Sequence, residues 1–310
     1  MPPRTDWQET IAPDEATRFE GYARYLGEQQ KKQAAARADG SLDRALHAKA
    51  HVGARAELRV LPDLPEPFRV GIFAAPGNYS AWVRYSNGHG GRRRDHVGDV
   101  RGVAIKIVGV PGRKLIPGME DARTQDFLLI QTPSFGFRNA DEFIFFVRAM
   151  RSPATLLPRL FLRFGFGRTL KFLSGIKSGI GAPVTSLATT RVWSPVPIRW
   201  GAHAAKVSAI PASPPSATGP LPPSPDYLTD DLVERLARGP IEYDLAVQLY
   251  VDAEKTPIED ASVEWPEALS PFVPVARLVL PQQDLRSPGG QAQRAFVERL
   301  SFDPWHAPEE

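Results

Sequence analysis

Four segments concentrate the residue types that could do chemistry. They are Arg44-Ala-Leu-His47-Ala-Lys49-Ala50-His51, Trp82-Val-Arg84-Tyr-Ser86-Asn87, Asp99-Val-Arg101-Gly102-Val-Ala-Ile-Lys106, and Gln125-Asp126-Phe-Leu-Leu-Ile-Gln131-Thr132-Pro133. An imidazole such as that of His47 takes up and returns a proton near neutral pH, so proton transfer is the first chemistry to consider. A lone histidine is more often a capped or core residue, and only its company makes this one a candidate. Cysteine is absent, which excludes a thiolate nucleophile, disulfides and Cys-ligated metals or clusters. Ser86 and Ser134 lack the glycines of a nucleophile elbow. Residues 109–114, Gly-Val-Pro-Gly-Arg-Lys, lack phosphate-loop spacing and read as a turn. His89, Asp95, His96 and Asp99 fit no common ligand spacing, and three arginines sit among them. That stretch reads as a solvated loop, and no metal site is assigned.

These segments need elements to position them. Residues 1–13 read as a loose arm with three prolines. From Asp14 the pattern turns helical, with Phe19, Tyr22, Ala23 and Leu26 on one face; residues 29–40 continue polar and helix-compatible to Gly40. Strands are expected over 51–61, 81–86, 100–110, 126–131, 243–251 and 273–280, with helices over 141–150 and 291–300. In 100–110, Val103, Ile105 and Ile107 alternate with Ala104, Lys106 and Val108. Strands flanked by helices at both ends predict an α+β fold around an antiparallel sheet or barrel. Residues 211–226 carry seven prolines and read as a rigid surface excursion.

Composition bounds the class. The chain has 310 residues, 42% hydrophobic and 24% charged, ordinary for a globular protein able to bury a sizeable core. A net charge of +3 is too weak to argue for nucleic acid, and no nucleic-acid partner is expected. No run of eighteen apolar residues and no apolar leader are visible, so the cytoplasm is the default compartment. Residues 156–178 mix Leu and Phe with Arg159, Arg163, Arg168, Lys171 and Lys177, uninterrupted by any acid. They read as helices packed over the barrel with arginines reaching water, or as a peripheral membrane contact.

The order and spacing of the four segments resemble the haem catalase superfamily, in particular its short, single-domain branch. The resemblance extends through Gln248-Leu-Tyr-Val-Asp252, Pro257-Ile-Glu-Asp260, Trp265-Pro266 and Ser301-Phe-Asp-Pro-Trp305-His306, and covers about residues 17–306. It implies one catalase-like domain over 1–310, an α+β catalase-like antiparallel β-barrel with flanking helices, and peroxide-consuming chemistry on haem b. His47 would then be the acid–base residue over the haem face, with Ser86 fixing its ring. Arg44 and Arg84 would bind haem propionates, and Phe143 would lie near the haem. Two departures fall at the site: Gln131 stands where the family has asparagine, and Ala50 where it has glycine. The longer amide predicts loose peroxide positioning, favouring organic or lipid hydroperoxides over fast hydrogen peroxide turnover. The family's iron-binding tyrosine would come after the Ser301–His306 segment, yet no tyrosine follows Tyr250, so haem is expected to bind weakly or not at all to this chain. The alternatives are a haem-free binding or scaffold protein on the same barrel, and a fatty-acid hydroperoxide isomerase or lyase.

Overall fold

The computed structural model describes residues 1–37, 40, 42–175, 183–214 and 220–309. Among these residues, nine antiparallel strands form one sheet: β1 (Lys49–Val60), β2 (Gly77–Asn87), β3 (Arg101–Val108), β4 (Thr124–Ile130), β5 (Val192–Trp193), β6 (Ile198–Trp200), β7 (His203–Pro211), β8 (Ile241–Leu249) and β9 (Val273–Leu280). Neighbours run β5-β4-β3-β2-β1-β9-β8-β7-β6, and β5 also pairs with β7. That extra pairing, Val192 opposite Ala209 and Trp193 opposite Ser208, closes eight strands into a barrel and leaves β6 as an appended hairpin arm. Closure removes the exposed edges that an open sheet would leave.

Alternation explains the barrel wall. Val103, Ile105 and Ile107 of β3 are buried, as are Leu58, Leu129, Val207, Leu245 and Leu278 around the ring. Tyr85 and Tyr243 lie wholly inside, and the Tyr85 hydroxyl donates to that of Tyr243, which donates to the Leu187 carbonyl. A buried phenol therefore carries no unmet polar group. Lys106 is buried too, held by both Asp126 oxygens at 2.7 and 2.8 Å from the adjacent position of β4.

Six helices flank the barrel among the described residues: α1 (Glu15–Ala35), α2 (Ala140–Ala149), α3 (Pro153–Phe164), α4 (Phe166–Gly175), α5 (Tyr227–Arg238) and α6 (Pro288–Arg299). None is long and apolar enough to cross a membrane. The Asn139 side chain caps α2 through the Glu142 amide, and Ser287 caps α6 through the Gly290 amide. The first helix stops at Ala35, short of Gly40.

The amino-terminal arm is not loose. Its Arg4 amide donates to the Tyr250 carbonyl, its Trp7 indole to the Ala202 carbonyl and its Thr10 amide to Glu259, while Trp7 packs beside Tyr250 and Trp265. An indole that buries its ring and satisfies its N–H offsets the entropy of ordering three prolines' worth of irregular chain. The proline-rich stretch leaves β7 at Pro211 and reaches the start of α5 at Asp226; its residues 215–219, like 176–178 of the basic stretch, lie outside the described residues.

Candidate active site

His47 stands just before β1 with a left-handed backbone, φ +55°. A non-glycine residue there is strained by roughly 1 kcal/mol. Two contacts hold it. Its amide donates to the Gly88 carbonyl at 2.9 Å, extending the β1–β2 ladder, and its own carbonyl accepts from the Arg84 guanidinium at 2.9 Å. The ring lies against β2 and β3: Nδ1 is 2.9 Å from Ser86 Oγ. Ser86 is directly opposite Gly102 in the β2–β3 register. A Cβ on residue 102 would come within 2.5 Å of the His47 ring, so only glycine leaves room for the imidazole.

Burial pushes the His47 pKa down to about 4, assisted by the positive charges of Arg84 and then Arg44. The ring is therefore neutral at neutral pH. Its Nε2 has no protein partner among the described residues, and in the tautomer whose Nδ1 donates to Ser86 it carries the lone pair.

Behind this ring, β1 carries a bulge at His51, between the pairs Ala50–Ser86 and Val52–Tyr85. His51 is fully buried, with Nε2 2.8 Å from Asn87 and Nδ1 3.0 Å from Thr229. Asp95 sits at the hub. It accepts from Lys49 at 2.6 Å, from Asn87 at 3.0 Å and from the Leu228 amide at 3.0 Å. The loop read as solvated is thus locked down at Asp95, which is 1% exposed. Buried charges persist only when paired, and Lys49 and the nearby Arg101 supply the positive side.

Arg44 and Arg84 converge as expected, on an unexpected partner. Arg84 is 3% exposed and grips both Glu298 oxygens, Nε and NH2 each at 2.9 Å. Arg44 donates to the carbonyls of Glu298 and Leu300 at 3.0 and 2.7 Å, and its Nε is buried without a hydrogen-bond partner, 3.7 Å from Glu298. Burial and Arg84 both push the Arg44 pKa down. Glu298 arrives because Val297 of α6 packs directly over Gly53 of β1, where a Cβ would meet Val297 at 2.5 Å. Nothing in the sequence singles out Glu298, an acid in an amphipathic helix; the close approach at Gly53 was the available signal.

Gln131 and Phe143 have other neighbours. The Gln131 amide oxygen accepts from the Arg101 amide and its nitrogen donates to the Asp99 carbonyl at 3.2 Å, so both ends cap the entry to β3. Phe143 packs in an aromatic cluster, 5.0 Å from Phe135 and 5.6 Å from Phe137 between centroids. His47, Ser86, Arg44 and Arg84 form one linked group; among the described residues, Gln131 and Phe143 make their hydrogen bonds and ring contacts outside it.

The barrel closes as it does in three solved catalases. A fungal catalase aligns over 99% of this chain at a TM-score of 0.65 and 18% identity, a bacterial catalase over 96% at 0.65 and 19%, and catalase A from Saccharomyces cerevisiae over 98% at 0.65 and 18%. The chain has the catalase fold. A catalase-related peroxidase from Mycolicibacterium paratuberculosis is 30% identical over 195 residues, 60% of this catalase-like chain. Sequence and fold together support membership of the catalase-like superfamily. No family model matches the chain. The catalase-like chain spans 58% of that peroxidase and 56–62% of the three solved catalases.

On the His47 face the described residues offer three features that a haem would use, while Glu298 occupies the fork of Arg84. Gly102 leaves space for the neutral ring, the ring presents a free Nε2, and the buried Arg44 Nε awaits an acceptor. Elsewhere the hydroxyls of Tyr22, Tyr227 and Tyr85 bond to Asp141, the Val184 carbonyl and Tyr243, whereas the buried Tyr25 hydroxyl has no partner among the described residues.

Proposed function

We propose that this chain is a haem-dependent, peroxide-consuming oxidoreductase in which His47 is the acid–base residue and 1–310 acts as one domain. The observation that carries the reading is the His47–Ser86 pair: a neutral imidazole, tied at Nδ1 and cradled by Gly102, with Nε2 open. Haem, when bound, supplies the redox centre at which a peroxide O–O bond is cleaved. The chain supplies the proton traffic. His47 Nε2 takes a proton from one peroxide oxygen and returns it to the other. Ser86 fixes the ring's orientation, and Arg44 and Arg84 bind the cofactor's carboxylates as planar forks. Phe143 belongs to the aromatic wall near the cofactor.

The reading extends to substrate. With the Gln131 oxygen and one of its two N–H groups held by backbone, a single N–H is left to position a small peroxide. Fast hydrogen peroxide turnover is disfavoured relative to organic hydroperoxides, whose apolar part provides its own anchor. Reconstitution with hemin tests the proposal. Haem should be held weakly, with a Soret band shifted from that of free hemin, and His47→Ala should lower peroxide consumption on the order of 10²–10⁴-fold with haem content unchanged. Near-normal turnover in His47→Ala would make His47 structural. One observation favours a haem-free binding protein instead: Glu298 already fills the fork of Arg84. The absence of any hemin-induced Soret shift would select that reading.

A further inference from the structure

We propose that the outer face of the α3–α4 pair seats on an anionic membrane surface. The inference does not depend on the peroxide reading. Its first support is that these two helices are apolar on two sides, and only one side is used. Inward, Phe164 and Phe172 pack with Phe145 and Phe146 of α2, Leu160 is fully buried, and Thr169 donates to the Leu160 carbonyl at 3.1 Å. Arg168 locks the pair to α2 through both Glu142 oxygens at 2.6 Å.

Outward, Leu157 and Phe161 lie one turn apart on α3, and Phe166 and Leu170 one turn apart on α4. Phe161 stacks on Phe166 at 5.5 Å and 20°, joining the two rows into one stripe across the turn at Gly165. Phe166 is 71% exposed, Leu157 48% and Leu170 47%, and Leu162 in the last turn of α3 is 91% exposed. An isolated exposed leucine is ordinary, but a continuous stripe with its inner counterpart already packed is a contact surface.

The second support is charge, and it selects the occupant. No Asp or Glu occurs between Glu142 and Asp226. Arg159, Arg163 and Lys171 are exposed on the same two helices, with Arg163 also lying over the Phe145 ring. An apolar stripe on helices that carry exposed cations without acids complements a layer of anionic headgroups over hydrocarbon: the rings and leucines enter the boundary and the cations stay with the phosphates.

Vesicle flotation of the full chain tests this. Vesicles of phosphatidylcholine with phosphatidylglycerol should carry the protein, pure phosphatidylcholine vesicles should not, and raising salt should release it. Phe166→Ser should weaken binding about tenfold, and the pair Phe166→Ser with Leu170→Ser should abolish it. Arg159→Gln with Lys171→Gln should weaken it more than tenfold on anionic vesicles. A Phe166→Trp variant guards against misfolding of the serine variants, because its added indole emission should shift to the blue with anionic vesicles alone. No flotation, equal flotation on neutral vesicles, or an unshifted emission from the Phe166→Trp variant overturns the proposal. So does a wild-type dimer that becomes monomeric in Phe166→Ser without any vesicle binding, which would assign the stripe to a second copy of the chain.

Discussion

Gly102→Ala tests the geometry of the site without touching any group that does chemistry. The new methyl would lie 2.5 Å from His47 Cε1, 2.7 Å from Nδ1 and 3.2 Å from Ser86 Oγ, where ordinary contacts are 3.4–4 Å. The ring must therefore retreat by about 1 Å, and the backbone of β3, paired on both sides, cannot yield in its place. A 2.9 Å Nδ1–Oγ hydrogen bond does not survive such a shift. Overpacking costs about 1–3 kcal/mol and the lost hydrogen bond about 1 kcal/mol, so the variant should be destabilised by roughly 2–4 kcal/mol. Chemical denaturation reads that loss, and NMR titration of the imidazole reads its cause. Displaced toward water, His47 should titrate well above 4, toward the ordinary histidine value. A variant with wild-type stability and an unmoved His47 pKa would refute the cradle and with it the positional argument for His47.

His47 and His51 are both held near pKa 4 by burial, so the unfolded chain takes up protons that the folded chain refuses. Stability should be full above pH 6.5 and fall as pH drops from about 6.5 to 4, and His47→Ala should flatten that slope in denaturation midpoints measured across the range. Glu298→Gln should loosen the Arg84 pair, destabilise by about 1–3 kcal/mol given the partial exposure of Glu298, and raise affinity for protoporphyrin IX but not for its dimethyl ester, as read by fluorescence titration. Asp126→Asn should leave Lys106 without its charge partner, cost about 3–5 kcal/mol, and release the 301–309 segment, whose Asp303 amide donates to Asp126 and whose His306 carbonyl accepts from the Asp126 amide. Hydrogen exchange at 301–309 that matches wild type would contradict it.

Strands were legible where one barrel face is apolar and the other wet or paired. β9 spans Val273–Leu280 as the pattern indicates, and β3 and β4 agree within two residues. β5, β6 and β7 escaped. The first two have two and three residues, and β7, His-Ala-Ala-Lys-Val-Ser-Ala-Ile-Pro, is buried on both faces and shows no alternation. Its Lys206 is buried against the Pro133 carbonyl and its pKa is pushed down to about 8, a tertiary arrangement with no local signature. α5 escaped for a different reason: it begins directly after a proline run, which masks its start. The motif order singled out His47, Ser86, Arg44 and Arg84, which the structure brings into one group. Glu298 was invisible because its position depends on how closely α6 can approach Gly53, a property of two distant segments together.

Arg84 does two jobs with one side chain, and the coupling has consequences for any ligand. Its NH2 group holds both the His47 carbonyl and a Glu298 oxygen, while its Nε holds the other Glu298 oxygen. The strained backbone of His47 is thus braced by the same guanidinium that grips a carboxylate. Replacing Glu298 by a ligand carboxylate of the same bite would preserve the brace. Replacing it by nothing would leave Arg84 charged, buried and free to turn, and His47 would lose the contact that offsets its strain. His47 and the Arg84–carboxylate pair are therefore one mechanical unit, in which a carboxylate at Arg84 sets the position of His47.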